Sequence, residues 1–125
     1  MVRYMDDVVW WCDSRETARA TLAAVRDFVA RERAVTVKAS ARIGRSAHGV
    51  TFLGFRVLPG SLRLSLRRRR RYAAARDRWE RRHAAGEIDA RQLQAGYDSA
   101  LAITAHASAR AWRRAQLRRR EPVDA

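Results

Sequence analysis

Two neighbouring carboxylates, Asp6 and Asp7, sit in Val2-Arg3-Tyr4-Met5-Asp6-Asp7-Val8-Val9, with β-branched and aromatic residues on both sides. Such flanks favour strands. The acidic pair would then occupy a reversal between them, although Asn-Gly or Asp-Gly is the more usual turn pair. Two carboxylates at a tight turn cannot both enter a core, and their like charge is relieved by a divalent cation. Hard oxygen ligands suit magnesium, which keeps substrate phosphates in its shell, and paired ions of this kind can flank an in-line phosphoryl displacement. The plainer reading of the dipeptide alone is a solvated acidic turn.

The elements that must position this pair follow in order. Val8-Val9-Trp10-Trp11-Cys12 completes a first hairpin. Asp13 with Glu16, or Ser14, can cap a helix over about 14–33, whose apolar face carries Ala18, Leu22, Val25 and Val29. Residues 34–39 alternate as a strand, and 40–48 form a basic loop. Residues 49–57 read as one strand. Leu58-Pro59-Gly60-Ser61 is a turn, and 62–66 return as a second strand. After 66 the pattern becomes helical, beginning with the five-arginine run Arg67–Arg71 and stopping near Gly86. Asp89 can cap a further helix with Leu93, Tyr97, Leu101 and Thr104 on one face. Trp112 follows, then a basic tail.

Composition bounds what the chain can be. It has 125 residues, 27 Lys+Arg against 13 Asp+Glu, and a net charge of +14. All but one of the basic residues are arginine, the exception being Lys38. Residues 67–125 carry 16 basic and 7 acidic side chains, against 11 and 6 in residues 1–66. A charge of this size favours a polyanionic partner. Of the apolar residues 24 are alanine, so the core must be thin. One cysteine, Cys12, excludes an intrachain disulfide and a multi-cysteine zinc site, and it reads as a half-buried small hydrophobe. No run is long enough to span a membrane, and the N-terminus lacks the layout of a signal peptide. A cytoplasmic chain is the expectation.

Tyr4-Met5-Asp6-Asp7 within its hairpin resembles the Tyr-x-Asp-Asp catalytic hairpin of reverse transcriptases. Val50-Thr51-Phe52-Leu53-Gly54-Phe55-Arg56-Val57 resembles their primer-grip hairpin. The order of acidic hairpin, amphipathic helix, basic strand, grip hairpin and helical region is similar to bacterial enzymes of the group II intron, retron and diversity-generating retroelement kind, over residues 2–112. The resemblance implies an α+β fold. Residues 1–66 would be a partial polymerase palm, an antiparallel sheet of two hairpins with one packed helix. Residues 67–120 would be an all-helical thumb, and 121–125 a disordered tail.

It further implies that Asp6 and Asp7 are the catalytic metal ligands for Mg2+ or Mn2+. Tyr4, Met5 and Lys38 would contact primer and nucleotide, and Phe52, Leu53, Gly54 and Phe55 would grip the primer end. Arg67, Arg68, Arg70 and Arg71 would meet nucleic-acid phosphates. A glycine at 54 would let backbone approach backbone. Lys38 lies slightly early for the family lysine that protonates pyrophosphate, and Arg42 lies closer to the expected position. The implied partners are an RNA template with its DNA primer, a dNTP, and a separate chain supplying fingers and the rest of the palm, with no membrane partner.

A palm also needs an Asp on a strand before this hairpin, and nothing precedes Met1-Val2-Arg3 here. The expectation is therefore a truncated, split or degenerate reading frame from a bacterial retroelement, inactive as a polymerase by itself. The alternative is a non-catalytic arginine-rich nucleic-acid-binding module or a degenerate retroelement product.

Overall fold

The computed structural model describes residues 1–123. The chain is α+β, with two small antiparallel sheets and four helices. It forms two compact units, Met1–His48 and a second that begins at Gly49. The boundary thus falls at Gly49 rather than near residue 66.

The first unit holds β1 (Val2–Tyr4), β2 (Asp7–Val9) and α1 (Arg15–Arg33), then a 3-10 turn over Ser46–His48. β1 and β2 pair antiparallel, with Val2 opposite Val9 and Tyr4 opposite Asp7. Ser14, not Asp13, caps α1: its hydroxyl accepts from the Thr17 N–H at 3.0 Å. Ala18, Leu22, Val25 and Val29 share one half-buried helix face, Phe28 is exposed, and no residue of α1 is fully buried. Cys12 is half-buried, with its sulfur 3.9 Å from the Thr21 hydroxyl. The strand expected over 34–39 does not form. Ala34 turns left-handed (φ 51°) and the Val35 N–H donates back to the Val29 carbonyl at 3.1 Å, so these residues close the helix end instead.

The second unit opens with a three-stranded meander, β3 (Val50–Phe52), β4 (Phe55–Leu58) and β5 (Ser61–Leu64). The single strand expected over 49–57 is broken by a turn at Leu53-Gly54. The two sheets are separate, so the expected sheet of two hairpins is not one sheet. Register explains the meander's polarity. Val50, Val57 and Leu62 align in one rung and Phe52, Phe55 and Leu64 in another, while Thr51, Arg56 and Arg63 align on the opposite face.

Three helices follow: α2 (Leu66–Ala84), α3 (Ala90–Ala102) and α4 (Arg110–Arg119). Buried Ser65 caps α2 by accepting from the Arg68 N–H, and Asp89 caps α3 in a reciprocal capping box with Gln92. Leu64, Tyr72, Ile88, Leu93, Ala100 and Ala109 form the apolar core. Helix α3 buries Leu93, Gly96 and Ala100, whereas Leu101 is exposed and Thr104 is buried beyond the helix end. The expected stripe through 101 and 104 is therefore displaced, because α3 stops at Ala102. Tyr72 meets Trp112 edge-on with ring centroids 5.3 Å apart.

The centre of this unit is ionic. Arg76 and Glu80 are 5% and 3% exposed, and Arg76 Nε donates to Glu80 Oε1 at 2.7 Å. The Tyr97 hydroxyl donates to the same oxygen at 3.0 Å, and Arg120 pairs with Oε2. Arg76 Nη2 donates to the Arg120 and Glu121 carbonyls, and the Val123 N–H donates to the Tyr97 oxygen. Residues 121–123, expected to be part of a disordered tail, are thus tied to α2 and α3; residues 124 and 125 lie outside the described residues. Burial alone would lower the Arg76 pKa, but the hydrogen bond and charge of Glu80 hold it above its ordinary value.

Two predictions follow from this packing. A Cβ on Gly96 would fall on the Trp79 indole of α2. Gly96→Ala should therefore cost about 1–3 kcal/mol of stability by overpacking, read from urea unfolding followed by circular dichroism. Burial raises the Tyr97 pKa, the Val123 N–H opposes this, and Glu80 adds to the rise. The folded state then holds the Tyr97 proton more tightly than the unfolded chain. Its stabilising effect is fully present below the ordinary value of 10.0 and falls as pH rises through the window above it. Tyr97→Phe should flatten that decline in urea midpoints measured between pH 9 and 11.

Candidate functional site

The acidic hairpin is built by its register. With Tyr4 opposite Asp7, Met5 and Asp6 alone make the reversal. Met5 takes a left-handed conformation (φ 50°) where hairpins usually place glycine or asparagine, a strained arrangement for this side chain. Arg3 Nε donates to the Met5 carbonyl at 3.0 Å and braces the turn. Tyr4, Met5, Asp6 and Asp7 are all exposed, Met5 at 74%. Strand alternation puts Tyr4 and Asp7 on one face with Val2 and Val9.

Among the described residues neither Asp6 nor Asp7 forms an ion pair, and no group of three His, Cys, Asp or Glu stands together. Asp6 and Asp7 are exposed carboxylates of the hard-oxygen donor type that Mg2+ or Mn2+ takes. They do not make a three-carboxylate site. Lys38 is exposed in the irregular segment after α1, its carbonyl accepting from the Ala41 N–H.

The residues expected to grip a primer end, Phe52, Leu53, Gly54 and Phe55, lie in the second unit. Phe52 and Phe55 face each other across β3 and β4, half-buried, and Leu53-Gly54 is the turn between them. Both turn residues have positive φ, 49° and 82°. A Cβ on Gly54 would lie 2.6 Å from Arg68 Nε. The close approach is therefore to a side chain from α2, not to backbone. Arg68 stacks 4.2 Å above the Phe55 ring and donates Nη1 to the Ile103 carbonyl at 3.1 Å. That places Arg68 in packing that joins β4, α2 and the end of α3.

Helix α2 separates its arginines by face. At 3.6 residues per turn, Arg67, Arg70, Arg71, Arg78, Arg81 and Arg82 fall within an arc of about 120°, along a helix of about 28 Å. All six are exposed, and Arg76 lies diametrically opposite in the core. Ala74 sits in the middle of the stripe between an upper and a lower arginine triad. Arg81 pairs with Asp77, and Arg82 pairs with Glu87 and lies 5.2 Å above the Trp79 ring. Arg78, Arg81 and Arg82 were not among the sequence-derived contacts, although extending the helical spacing past residue 71 finds them.

No protein family, no curated protein and no solved structure matches this chain. No helix among the described residues is long and apolar enough to cross a membrane.

The geometry at Gly54 makes a specific prediction. Gly54→Ala should lower stability by about 1–2 kcal/mol from its left-handed backbone, with an added cost from displacing Arg68. In an Arg68→Ala background the added cost should vanish, and thermal unfolding of the four proteins measures the difference.

Proposed function

We propose that this chain is the C-terminal segment of an RNA-directed DNA polymerase, a reverse transcriptase, carrying the acidic palm hairpin, the primer grip and the thumb. The observation that carries the reading is the hairpin itself. It reverses at Met5-Asp6 on a left-handed methionine and exposes two neighbouring, unpaired carboxylates. The two-residue reversal itself sets the left-handed φ at Met5, as it does at Leu53 in the second hairpin. The Phe52–Phe55 hairpin and the arginine-striped helix, downstream in the order such enzymes use, support it further.

On this reading Asp6 and Asp7 hold Mg2+ or Mn2+, which when bound neutralises charge on a transferring phosphoryl group. Tyr4 and Met5 face the primer terminus and the paired dNTP. Phe52, Leu53, Gly54 and Phe55 set the primer end. Lys38 acts as an exposed cation toward the nucleotide. The α2 stripe takes phosphates of the primer–template duplex, a contact that positions without reading sequence. Ala74 lets the helix approach the duplex between the two triads. Arg68 acts indirectly, by pinning the Phe55 hairpin to α2. Two carboxylates are part of a two-metal site, so catalysis also needs fingers and a further palm aspartate.

Primer extension on an RNA template tests this. The chain is mixed with the fingers-and-palm portion of a group II intron type enzyme, in Mg2+. Extension should appear in the mixture and not with either part alone. Asp6→Asn with Asp7→Asn should abolish it while duplex affinity stays within about threefold. Extension that survives the double substitution would refute the reading. Tight duplex binding with no extension in any mixture would favour the non-catalytic binding module.

A further inference from the structure

Helix α4 carries five arginines and no acidic residue. At the α-helical step, Arg110, Arg114 and Arg118 fall within an arc of about 80°. All three are exposed, and none forms an ion pair among the described residues. The opposite face is the packed one. Trp112, about 160° round from Arg114, meets Tyr72 edge-on. Arg113 turns aside to donate to the buried Thr104 hydroxyl at 3.0 Å.

This arrangement works against the helix itself. Arg110 with Arg114, and Arg114 with Arg118, are like-charge pairs four residues apart, and each is unfavourable. Arg110 opens the helix, where the macrodipole disfavours a cation, and Ala109 supplies no side-chain cap. Exposed arginines on the longer helices find a carboxylate four residues away, as Arg31 finds Asp27 and Arg81 finds Asp77. Helix α4 holds no such partner. Glu121, beyond its end, lines a shallow hollow with Leu117 and Arg118. A polyanion supplies the missing charge. Arg110 to Arg118 covers about 12 Å of helix axis, over which one strand of a duplex presents about three or four phosphates. With Trp112 turned inward, the face has no ring on which single-stranded bases stack. Leu117 is its one large apolar side chain, too little to enter a lipid surface. Duplex phosphates fit the face better than either.

We propose that α4 is a second nucleic-acid face, holding a duplex segment other than the one on α2. Arg69 and Tyr72, the α2 residues that reach Trp112, lie about 160° and about 140° from the centre of that helix's outward arginines. The two basic faces therefore point away from each other across one packed interior, and the second unit bridges two duplex segments. The inference rests on the proposed function only for the segment on α2.

Sedimentation velocity of the full chain with an excess of a labelled twelve-base-pair RNA–DNA duplex tests this. Two duplexes should bind per chain. Arg110→Gln with Arg114→Gln and Arg118→Gln should leave one. Lysine at the same three positions should keep two, because a backbone contact needs the charge and not the planar fork. Arg15→Gln with Arg19→Gln and Arg26→Gln, an equal charge loss on exposed α1, should also keep two. Arg67→Gln with Arg70→Gln and Arg71→Gln should leave one. If that last variant keeps two while the α4 variant holds one, the α4 face stands and the duplex role of α2 fails. Should the triple α4 variant not fold by circular dichroism, Arg114→Gln alone decides, and it should weaken the second duplex by about threefold or more. One duplex per unsubstituted chain, or two retained after the α4 glutamine substitutions, overturns the proposal. Binding to phosphatidylserine vesicles that the α4 substitutions abolish, with no second duplex, overturns it in favour of a membrane surface.

Discussion

The second unit depends on a buried ion pair. Arg76 and Glu80 occupy successive turns on the inner face of α2, where an ordinary amphipathic helix would carry leucine or valine. A chain so poor in large apolar residues has little else to bury there. The pair is tolerable because it is engaged from three directions: Tyr97 of α3 donates to Glu80 Oε1, the Arg120 guanidinium forms an ion pair with Oε2, and the carbonyls of Arg120 and Glu121 accept from Arg76. A buried pair of this kind is weak evidence for stability and better evidence for a unique arrangement. Here it sets which faces of α2 and α3 meet and where residues 120–123 lie.

That arrangement sorts the arginines. One inner residue, Arg76, is consumed by the core. Arg68 and Arg69 are drawn inward onto Phe55 and Trp112. The remaining six on α2 are turned outward on one face. The nine arginines of α2 thus lie in three different surroundings, which net charge alone does not distinguish. The first unit has no comparable organising contact and no fully buried residue. Its apolar helix face and hairpin are only half covered.

Much of this was legible in the residue pattern. β-branched flanks around Asp6-Asp7 marked the hairpin, the spacing of Leu22, Val25 and Val29 marked α1, and Gly86 and Asp89 bracketed the break between α2 and α3. Three features were not. Gly54 reads as a strand residue until its positive φ is known, so the Leu53-Gly54 turn was hidden inside a continuous apolar run. Val35 and Val37 alternate as a strand should, but the helix end claims the Val35 N–H and no neighbouring strand pairs with them. Charged side chains are normally assigned to solvent, which concealed both the ionic core and the inward turn of Arg68. Of the candidate site, the acidic tip and the Phe52–Phe55 pair were visible as types and order. The lower arginine triad is separated from the five-residue run by residues 72–77, so only helical spacing joins the two.

On the proposed reading, the hairpin tip presents Asp6 and Asp7 together as ligands for a divalent cation beside a nucleic-acid duplex. Paramagnetic broadening by Mn2+ measures this directly, on the isotopically labelled chain bound to an RNA–DNA primer–template. The account predicts that amide signals of residues 5–8 broaden at Mn2+ concentrations that leave Asp27, Glu87 and Asp98 unaffected, and that substituting both tip aspartates with asparagine removes the effect. Broadening at the tip no greater than at those other exposed carboxylates would contradict it.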